Sequence, residues 1–420
     1  MLAFFERSPI YAGVAVFCLS IAITSIFWAA LPRQFSANES TDYKGFYKPV
    51  AENIAQGNGV TLDGTLPTKF PPGYPFVLAG IFKLCNWLHV SEDTGSMLVN
   101  LIGMALVSLL LFCLGNVMFG QAAGLLGAVL WMTYPFALWL TKQPNSEVPF
   151  MIFLYAGILF LNYLISRGVC GLGYFVCGMF FGIAMLIRPI AIGIGFPLAI
   201  FVWFTARKLR PQLRALSITV LLLGMVVPVL PWEIWVYSKT KTVIMLSTTG
   251  PTNMRDGLAG FAIDPPPHRT GGGVPEDVRL LMMDMWQRKD EMLSISGLAS
   301  ILWHEIRIHP VALIKLYLLK VARSWYGTDT GRSEKIILLV QLLYLCLTGW
   351  AIRTMWKHKQ DRALMAGILV LVTYFWGMDV LVNSTLRYVL PVIGALLLLI
   401  GAALASRKNS KEKDLLTSRA

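Results

Sequence analysis

The chain has 420 residues, of which 56% are hydrophobic and only 14% are charged, and its mean hydropathy is +0.62. A soluble domain carries about a quarter charged residues, so this composition excludes an ordinary soluble protein and predicts an integral membrane protein. The formal net charge of +13 comes from cations at the ends of apolar segments, as membrane topology requires. No nucleic-acid partner is therefore expected.

Apolar segments long enough to cross a bilayer, roughly 17–25 residues, recur along most of the chain. They predict an all-α, polytopic membrane protein with about 10–12 transmembrane helices. Two further apolar stretches, 74–90 and 311–326, leave open whether they cross the membrane. The segments that we expect to span it are 10–31, 95–118, 121–140, 148–166, 171–187, 190–206, 213–231, 334–351, 363–381 and 388–406.

Three clusters of lysine and arginine decide the expected orientation. They occupy 207–214, 353–362 and 407–413, and they share one side of the membrane if neither 74–90 nor 311–326 crosses it. The positive-inside rule makes that side cytoplasmic, which places both termini in the cytoplasm of a cell whose plasma (inner) membrane holds the chain. The two open stretches then lie along the outer surface as amphipathic helices. The side chains expected to anchor them there are Lys83, Trp87, Lys315, Tyr317, Lys320, Arg323 and Trp325.

On this topology the polar parts of the chain gather on the outer face. Residues 1–420 form one membrane domain, with a first outer loop at 32–94, a long outer segment at 232–333 and a basic cytoplasmic tail at 407–420. The prolines and glycines of 260–275 predict a mobile loop, which is a candidate lid. Polar groups are costly in a membrane protein unless they serve a site, so we expect an active site that faces the exterior.

Two carboxylates stand out on the outer face. Asp42 opens the first outer loop, where a carboxylate could act as general base on a hydroxyl group. The alternative for Asp42 is the N-cap of a helix that runs to Gly57, which is the more common role of such a residue. Glu147 stands at a helix start on the same face, where it could be the ionic partner of Arg188.

Four cations are candidates to hold an anion such as phosphate. Lys69 precedes a rigid corner of consecutive prolines, although a lone lysine there more often reaches towards the membrane surface. Arg188 lies inside a long apolar run, where a bare guanidinium would be costly, so it binds either a ligand or Glu147. Arg387 lies at the outer mouth of the last helix, and Arg255 lies in the polar centre of the long outer segment.

Aromatic and loop residues complete the candidate site. We expect Tyr43, Tyr47 and Tyr74 to contact substrate, and His268 and Arg269 to close over it from the candidate lid. The sequence shows no spacing typical of metal ligands, so no metal site and no cofactor are predicted, while a divalent-metal requirement stays open.

Seven short motifs follow one another in a fixed order along the chain. They are Asp42 with Tyr47 and 51–57; Lys69 with Pro71-Pro72; Asn145-Ser146-Glu147; Gly182 with Arg188-Pro189; Pro231-Trp232; Thr248-Thr249-Gly250; and Arg387-Tyr388 with Pro391. This ordered set on this topology resembles the GT-C superfamily of membrane glycosyltransferases. Within that superfamily it most resembles the branch of protein O-mannosyltransferases and lipid A aminoarabinose transferases.

The resemblance implies a sugar transfer on the extracytoplasmic face, from a polyprenyl-phosphate donor held among membrane lipids to a lipid, glycan or protein acceptor. It implies that Asp42 is the catalytic acid of the first loop and that Glu147 is a second acid near the acceptor. Lys69 and Arg188 match cations that hold the donor phosphate, with Arg255 and Arg387 as looser candidates. The sequence departs from the family pattern at Tyr43, because the common pair after the first helix is Asp-Glu.

Two other functions stay open. A transporter or flippase of lipid-linked sugars would also carry outward-facing cations and an apolar groove, although transporters often contain internal repeats and this chain shows none. A glycan polymerase or ligase would perform the same chemistry on a larger acceptor.

Overall fold

The computed structural model describes residues 9–32, 42–260, 274–328, 331, 333–357 and 362–417, with 408–417 described by their backbone alone. Within these residues the chain is helical, and its one extended pairing is a bridge between Leu62 and Thr65. The all-α fold expected from the sequence is confirmed. In chain order the helices are α1 (Pro9–Ala30), α2 (Lys48–Gln56), α3 (Gly73–Leu88), α4 (Glu92–Phe119), α5 (Gln121–Met132), α6 (Pro135–Leu140), α7 (Glu147–Arg167), α8 (Leu172–Ile187), α9 (Gly195–Thr205), α10 (Pro211–Thr240), α11 (Thr249–Arg255), α12 (Glu276–Gln287), α13 (Ile295–Ile308), α14 (Pro310–Arg323), α15 (Glu334–Trp356), α16 (Arg362–Val382) and α17 (Leu386–Thr417).

Ten of these helices coincide with the ten segments expected to span the membrane. Seven helices in the described part of the chain are long and apolar enough to cross a bilayer. They are α1, α4, α7, α10, α15, α16 and the Leu386–Arg407 part of α17. Three shorter apolar helices, α5, α8 and α9, match the other three segments. The chain is therefore a multi-pass membrane protein.

Two of the expected spans are shorter than their apolar sequence suggests. Segment 121–140 breaks after Met132, because Pro135 cannot continue the backbone hydrogen bonding of α5 and starts α6 instead. The stretch from residue 190 begins as a 3-10 turn at Pro189–Ala191, and α9 starts only at Gly195. At 1.5 Å per residue, the 12 residues of α5 rise only about 18 Å, against about 30 Å of hydrocarbon.

The stretches 74–90 and 311–326, for which the sequence left membrane crossing open, each form a helix. α3 has 16 residues and α14 has 14 residues, and neither is among the candidate spans. Lys83 on α3 is exposed, as expected of a residue at the membrane surface. The prediction for Lys320 on α14 is wrong, because its side chain is fully buried and not at an interface.

The chain divides into two compact units. The first unit comprises Met1–Leu246, Leu347–Leu371 and Pro391–Ala420, and the second comprises Ser247–Cys346 and Val372–Leu390. The single membrane domain expected over residues 1–420 stays a prediction.

Buried hydrogen bonds between helices hold the first unit together. The Ser20 and Ser108 hydroxyls lie 3.0 Å apart between α1 and α4. The Tyr155 hydroxyl on α7 donates to the carbonyl of Pro391 on α17 at 2.7 Å. Small polar contacts of this kind stabilise helix pairs in a bilayer, where apolar side chains have no hydrophobic reason to prefer each other over lipid. The Asn100 amide on α4 donates to the carbonyls of Thr141 and Gln143 at 3.2 and 2.6 Å, which fixes the loop that precedes α7.

The second unit has an apolar core of its own. Its buried side chains come from α12, α13 and α14, and they recur at helical spacing on each of them. Leu281, Met282 and Met285 of α12 pack in one cluster with Ile301 of α13 and Leu316 of α14.

Candidate active site

The loop between α1 and α3 is fastened to α4 by Tyr43. Residues Tyr43–Tyr47 form a π-helical turn that leads into α2. The Tyr43 hydroxyl donates to Asp93 Oδ1 at 3.0 Å and lies 2.8 Å from Ser96 Oγ. Burial raises the pKa of this hydroxyl, with the Asp93 carboxylate adding to the effect and Ser96 opposing it. Tyr43 therefore holds the loop in place through its side chain.

Asp42 does not cap the helix that follows it. Its backbone is already helical, with φ −67° and ψ −36°, and its side chain makes no capping hydrogen bond. A capping side chain needs an extended backbone to reach the second or third amide of the helix. The helix does end at Gly57 as expected, with φ +86°. The capping role is thus wrong for Asp42, and its carboxylate is available for another partner.

That partner is Lys69. Lys69 Nζ lies 3.6 Å from Asp42 Oδ1, and the two side chains are 57% and 34% exposed. The same ammonium lies over the ring of Phe70, 5.0 Å from its centroid. An exposed ion pair contributes only about 0–1 kcal/mol, so a charged substrate group can separate it at little cost.

The proline corner after Phe70 places aromatic rings behind this pair. Tyr47 stacks on Phe70 with ring centroids 5.0 Å apart, and it meets Tyr74 edge-on at 4.9 Å. Gly73, the first residue of α3, packs directly on the end of α8. A Cβ at this position would lie 2.5 Å from the carbonyl oxygen of Leu186. The close approach sets the distance between the corner and Arg188.

Arg188 and Glu147 form the ion pair expected from the sequence. Arg188 Nη1 lies 2.7 Å from Glu147 Oε1 and donates to Ser146 Oγ at 3.0 Å. The two charged side chains are 9% and 0% exposed. α8 ends before Arg188 because Pro189 disfavours the helical backbone in the residue that precedes it. α7 begins at Glu147, where a carboxylate is favoured by the helix dipole.

Tyr47 lies between the exposed and the buried ion pair. Burial raises the pKa of its hydroxyl above the ordinary value, against the opposing effects of Arg188 and of a hydrogen bond with Ser146. Glu147 and Asp42 raise this pKa further. The hydroxyl consequently stays protonated, and charges from both ion pairs act on its pKa.

The structure brings six of the expected site residues together, and these are Asp42, Lys69, Tyr47, Tyr74, Glu147 and Arg188. It adds two residues that were not expected in the site, Ser146, which belongs to the motif Asn145-Ser146-Glu147, and Phe70, which follows Lys69 in the chain. We name this set, all in the first unit, the first-unit site.

Five expected residues are not part of the first-unit site, and one of them is Tyr43, whose hydroxyl contacts Asp93 and Ser96. Arg255 and Arg387 belong to the second unit. Arg255 pairs with its neighbour Asp256, with Nη2 at 2.7 Å from Oδ1, and its guanidinium lies 5.8 Å from the ring centre of Trp286. Arg387 is half-buried in the first turn of α17. His268 and Arg269, with most of the candidate lid, lie outside the described residues.

Within the described part of the chain, no group of three or more histidine, cysteine, aspartate or glutamate residues could hold a metal ion. The charged side chains of the first-unit site are the carboxylates of Asp42 and Glu147, the Lys69 ammonium and the Arg188 guanidinium. Together they can remove a proton and stabilise an anion at the same location.

Comparison with known proteins finds one matching family model. A family model described as dolichyl-phosphate-mannose-protein mannosyltransferase matches residues 69–232, which include Lys69, Glu147 and Arg188. No curated protein matches the chain by sequence.

Several solved structures share the fold. One is the archaeal oligosaccharyltransferase AglB from Archaeoglobus fulgidus, in complex with an inhibitory peptide and a dolichol-phosphate. It matches with a TM-score of 0.61 at 12% identity, over 99% of this chain and 52% of that one. The Archaeoglobus fulgidus oligosaccharyltransferase tethered to an acceptor peptide with the NVT sequon matches with a TM-score of 0.60 at 12% identity. The match covers 97% of this chain and 50% of that one.

The chain thus spans about half the length of the oligosaccharyltransferases that it matches. ArnT from Cupriavidus metallidurans bound to undecaprenyl phosphate matches with a TM-score of only 0.44 at 12% identity, over 94% of this chain and 78% of that one. The assignment of the fold therefore depends on the oligosaccharyltransferases, whose fold this chain shares.

Proposed function

We propose that this chain, which has the GT-C fold of membrane glycosyltransferases, transfers a sugar from a polyprenyl-phosphate donor to an acceptor on the extracytoplasmic face. The observation that carries the proposal is the exposed Asp42–Lys69 pair, 3.6 Å apart, beside the buried Glu147–Arg188 pair. The mannosyltransferase family model covers three of these four residues. The dolichol-phosphate and the inhibitory peptide in complex with one of the oligosaccharyltransferases support a lipid-linked donor in general terms.

Asp42 is the general base in this proposal. Its carboxylate takes the proton of the acceptor hydroxyl as the hydroxyl oxygen forms a bond to the anomeric carbon of the sugar. The bond from that carbon to the phosphate oxygen breaks, and the polyprenyl phosphate leaves with the electron pair. Asp42 suits this task because its side chain is 34% exposed, whereas Glu147 is fully enclosed.

Lys69 and Arg188 stabilise the leaving phosphate. The Lys69 ammonium is 57% exposed, so a donor phosphate can replace Asp42 as its partner and free the carboxylate for the acceptor. Arg188 acts from behind, where low dielectric strengthens its effect. Preorganised cations at the position where negative charge develops are the largest single source of catalysis in such reactions.

Glu147 and the aromatic residues hold these charges in place. Glu147 fixes the Arg188 guanidinium at 2.7 Å, and we assign it this positioning role in place of a second catalytic acid. Phe70, Tyr47 and Tyr74 form a wall beside the charges, on which a sugar ring can pack through its apolar face. Arg255 and Arg387 are further phosphate ligands in the proposal, and His268 and Arg269 contact substrate.

The proposal also includes the setting of the reaction. The donor lipid lies among membrane lipids, and the acceptor is a lipid, a glycan or a protein at the outer surface of the plasma (inner) membrane. Both termini face the cytoplasm, as the basic clusters indicate.

The test is sugar transfer in detergent from labelled polyprenyl-phosphate sugars to extracted envelope acceptors. Asp42→Asn should abolish transfer without weakening donor binding. Asp63→Asn is the matched control, because Asp63 is an exposed carboxylate of the same loop. Lys69→Gln should weaken donor binding, while Lys83→Gln should not. Full transfer by Asp42→Asn would refute the proposed base, and donor binding without transfer by the wild-type protein would favour a transporter.

A further inference from the structure

The second unit contains a lysine that is completely buried. Lys320, on α14, is 0% exposed, and its ammonium donates to the carbonyl oxygen of Gly257 at 2.9 Å. Five residues earlier on the same helix, Lys315 is 46% exposed and pairs with Asp277. The two lysines thus share a helix but have opposite surroundings.

The Gly257 carbonyl belongs to a segment that packs on the end of α16. Residues Asp256–Gly260 form a π-helical turn that continues directly from Arg255. A Cβ at Gly257 would overlap the carbonyl oxygen of Val382 and lie 2.8 Å from the Cα of Asn383. Lys320 therefore fastens a turn that touches the end of α16.

A buried carboxylate fixes that end of α16 from the other side. Asp379 Oδ1 accepts a hydrogen bond from the Thr385 amide at 3.1 Å, and the Asp379 carbonyl accepts one from the Ser384 amide at 2.8 Å. Ser384 has φ +63°, a strained conformation for a residue other than glycine. The Leu386 amide donates to the Gly327 carbonyl at 2.9 Å. Three hydrogen bonds therefore fix the turn at 383–385, which precedes Arg387.

Lys320 and Asp379 interact across this junction. Burial lowers the pKa of Lys320 to about 7, while the Asp379 carboxylate opposes the shift and Arg323 adds to it. A buried amine is costly, and a methionine of similar volume would avoid the cost. A lysine at this position has a reason if its hydrogen bond to Gly257 fixes the turn at 256–260, which an apolar side chain cannot do.

We infer that Lys320 is a positioning residue: it joins the turn at 256–260 to the Asp379-capped turn at 383–385, and so sets where Arg255 and Arg387 project. The structural part of this inference, that Lys320 joins the two turns, depends only on the contacts above. The functional part rests on the proposed function, in which Arg255 and Arg387 bind the donor phosphate.

The experiment compares full-length wild-type protein, Lys320→Met and Lys315→Met in detergent. The first readout is hydrogen–deuterium exchange of the amides in 255–260 and 383–387. Lys320→Met should raise exchange in both segments about tenfold, as expected for the loss of one buried hydrogen bond, while Lys315→Met leaves them unchanged. The second readout is the affinity for a polyprenyl phosphate without sugar, which should fall about tenfold in Lys320→Met only.

The outcomes separate the two parts of the inference. Unchanged exchange in the two segments, or a uniform rise along the chain, would overturn the positioning role. If the wild-type protein does not bind polyprenyl phosphate, the proposed function fails, and the exchange measurement still decides the positioning role. If Lys320→Met does not fold, Lys320→Gln, which keeps a neutral donor, replaces it. Exchange in Lys320→Gln should stay close to that of the wild type, and its affinity for polyprenyl phosphate should be retained, whereas a large loss of either would contradict the inference.

Discussion

Replacing Gly73 with alanine tests whether the proline corner must touch the end of α8. The new Cβ would lie 2.5 Å from the Leu186 carbonyl oxygen and 2.8 Å from the Ile187 nitrogen. Close carbon–oxygen contacts in proteins are about 3.3 Å, so the corner must move by about 0.8 Å away from Arg188. A displacement of about 1 Å in a catalytic arrangement can lower the rate about 100-fold. The backbone on both sides leaves no flexible side chain that could yield instead.

Gly80→Ala is the matched control, because Gly80 lies on the same helix and has nothing within 4 Å of a new Cβ. That change should leave transfer unchanged and stabilise α3 by up to about 1 kcal/mol. We expect Gly73→Ala to lower transfer about 100-fold while the protein still folds, since overpacking typically costs about 1–3 kcal/mol. The assays are sugar transfer and thermal melting in detergent. If Gly73→Ala transfers sugar as well as Gly80→Ala, the corner does not set the geometry of the first-unit site.

Three further predictions concern burial, topology and pH. Glu147→Gln removes the charged partner of a buried guanidinium and should destabilise the protein by about 3–5 kcal/mol. Glu147→Leu combined with Arg188→Met should recover most of the melting temperature. Equal melting temperatures of the single and double variants would contradict this prediction. A cysteine in place of the exposed Lys83 should react with an impermeant thiol reagent from outside the cell, and labelling from the cytoplasm alone would reverse the topology. Because the pKa of Lys320 is lowered to about 7 in the folded protein, the unfolded chain holds the extra proton between about pH 7 and pH 10.4. Stability should therefore rise with pH in that range, and the rise should be smaller in Lys320→Met; parallel melting curves would contradict the buried lysine.

The sequence predicted the parts of the fold that hydropathy controls. Each of the ten apolar segments contains a helix, although 121–140 and 190–206 are interrupted, because a backbone in lipid must satisfy its hydrogen bonds within each segment. The Glu147–Arg188 pair was also predictable, since a guanidinium inside an apolar run requires an anionic partner.

Contacts between distant segments were not predictable in this way. Lys320 was expected at the membrane interface because its helix is amphipathic. Its ammonium instead donates to the carbonyl of Gly257, 63 positions away in the chain. The position of Tyr47 between two ion pairs likewise depends on the packing of the proline corner on α8. The capping role of Asp42 failed because the π-helical turn gives this residue a helical backbone, which no sequence signal indicated.

The charges of the first-unit site give Asp42 a second effect on the reaction. Asp42, Lys69, Glu147 and Arg188 sum to zero, so the resting site has no net attraction for the single negative charge of a phosphodiester donor. As Asp42 takes the acceptor proton, the site becomes positive while the leaving phosphate gains negative charge. The attraction thus grows along the reaction, which is the condition for lowering the barrier and not merely for binding the donor. Asp42→Asn makes the site positive permanently, so it should bind a polyprenyl phosphate more tightly than the wild-type protein even though transfer is lost. Binding weaker than that of the wild-type protein would contradict this charge argument. It would indicate that Asp42 contributes to binding of the donor, and not only as the base.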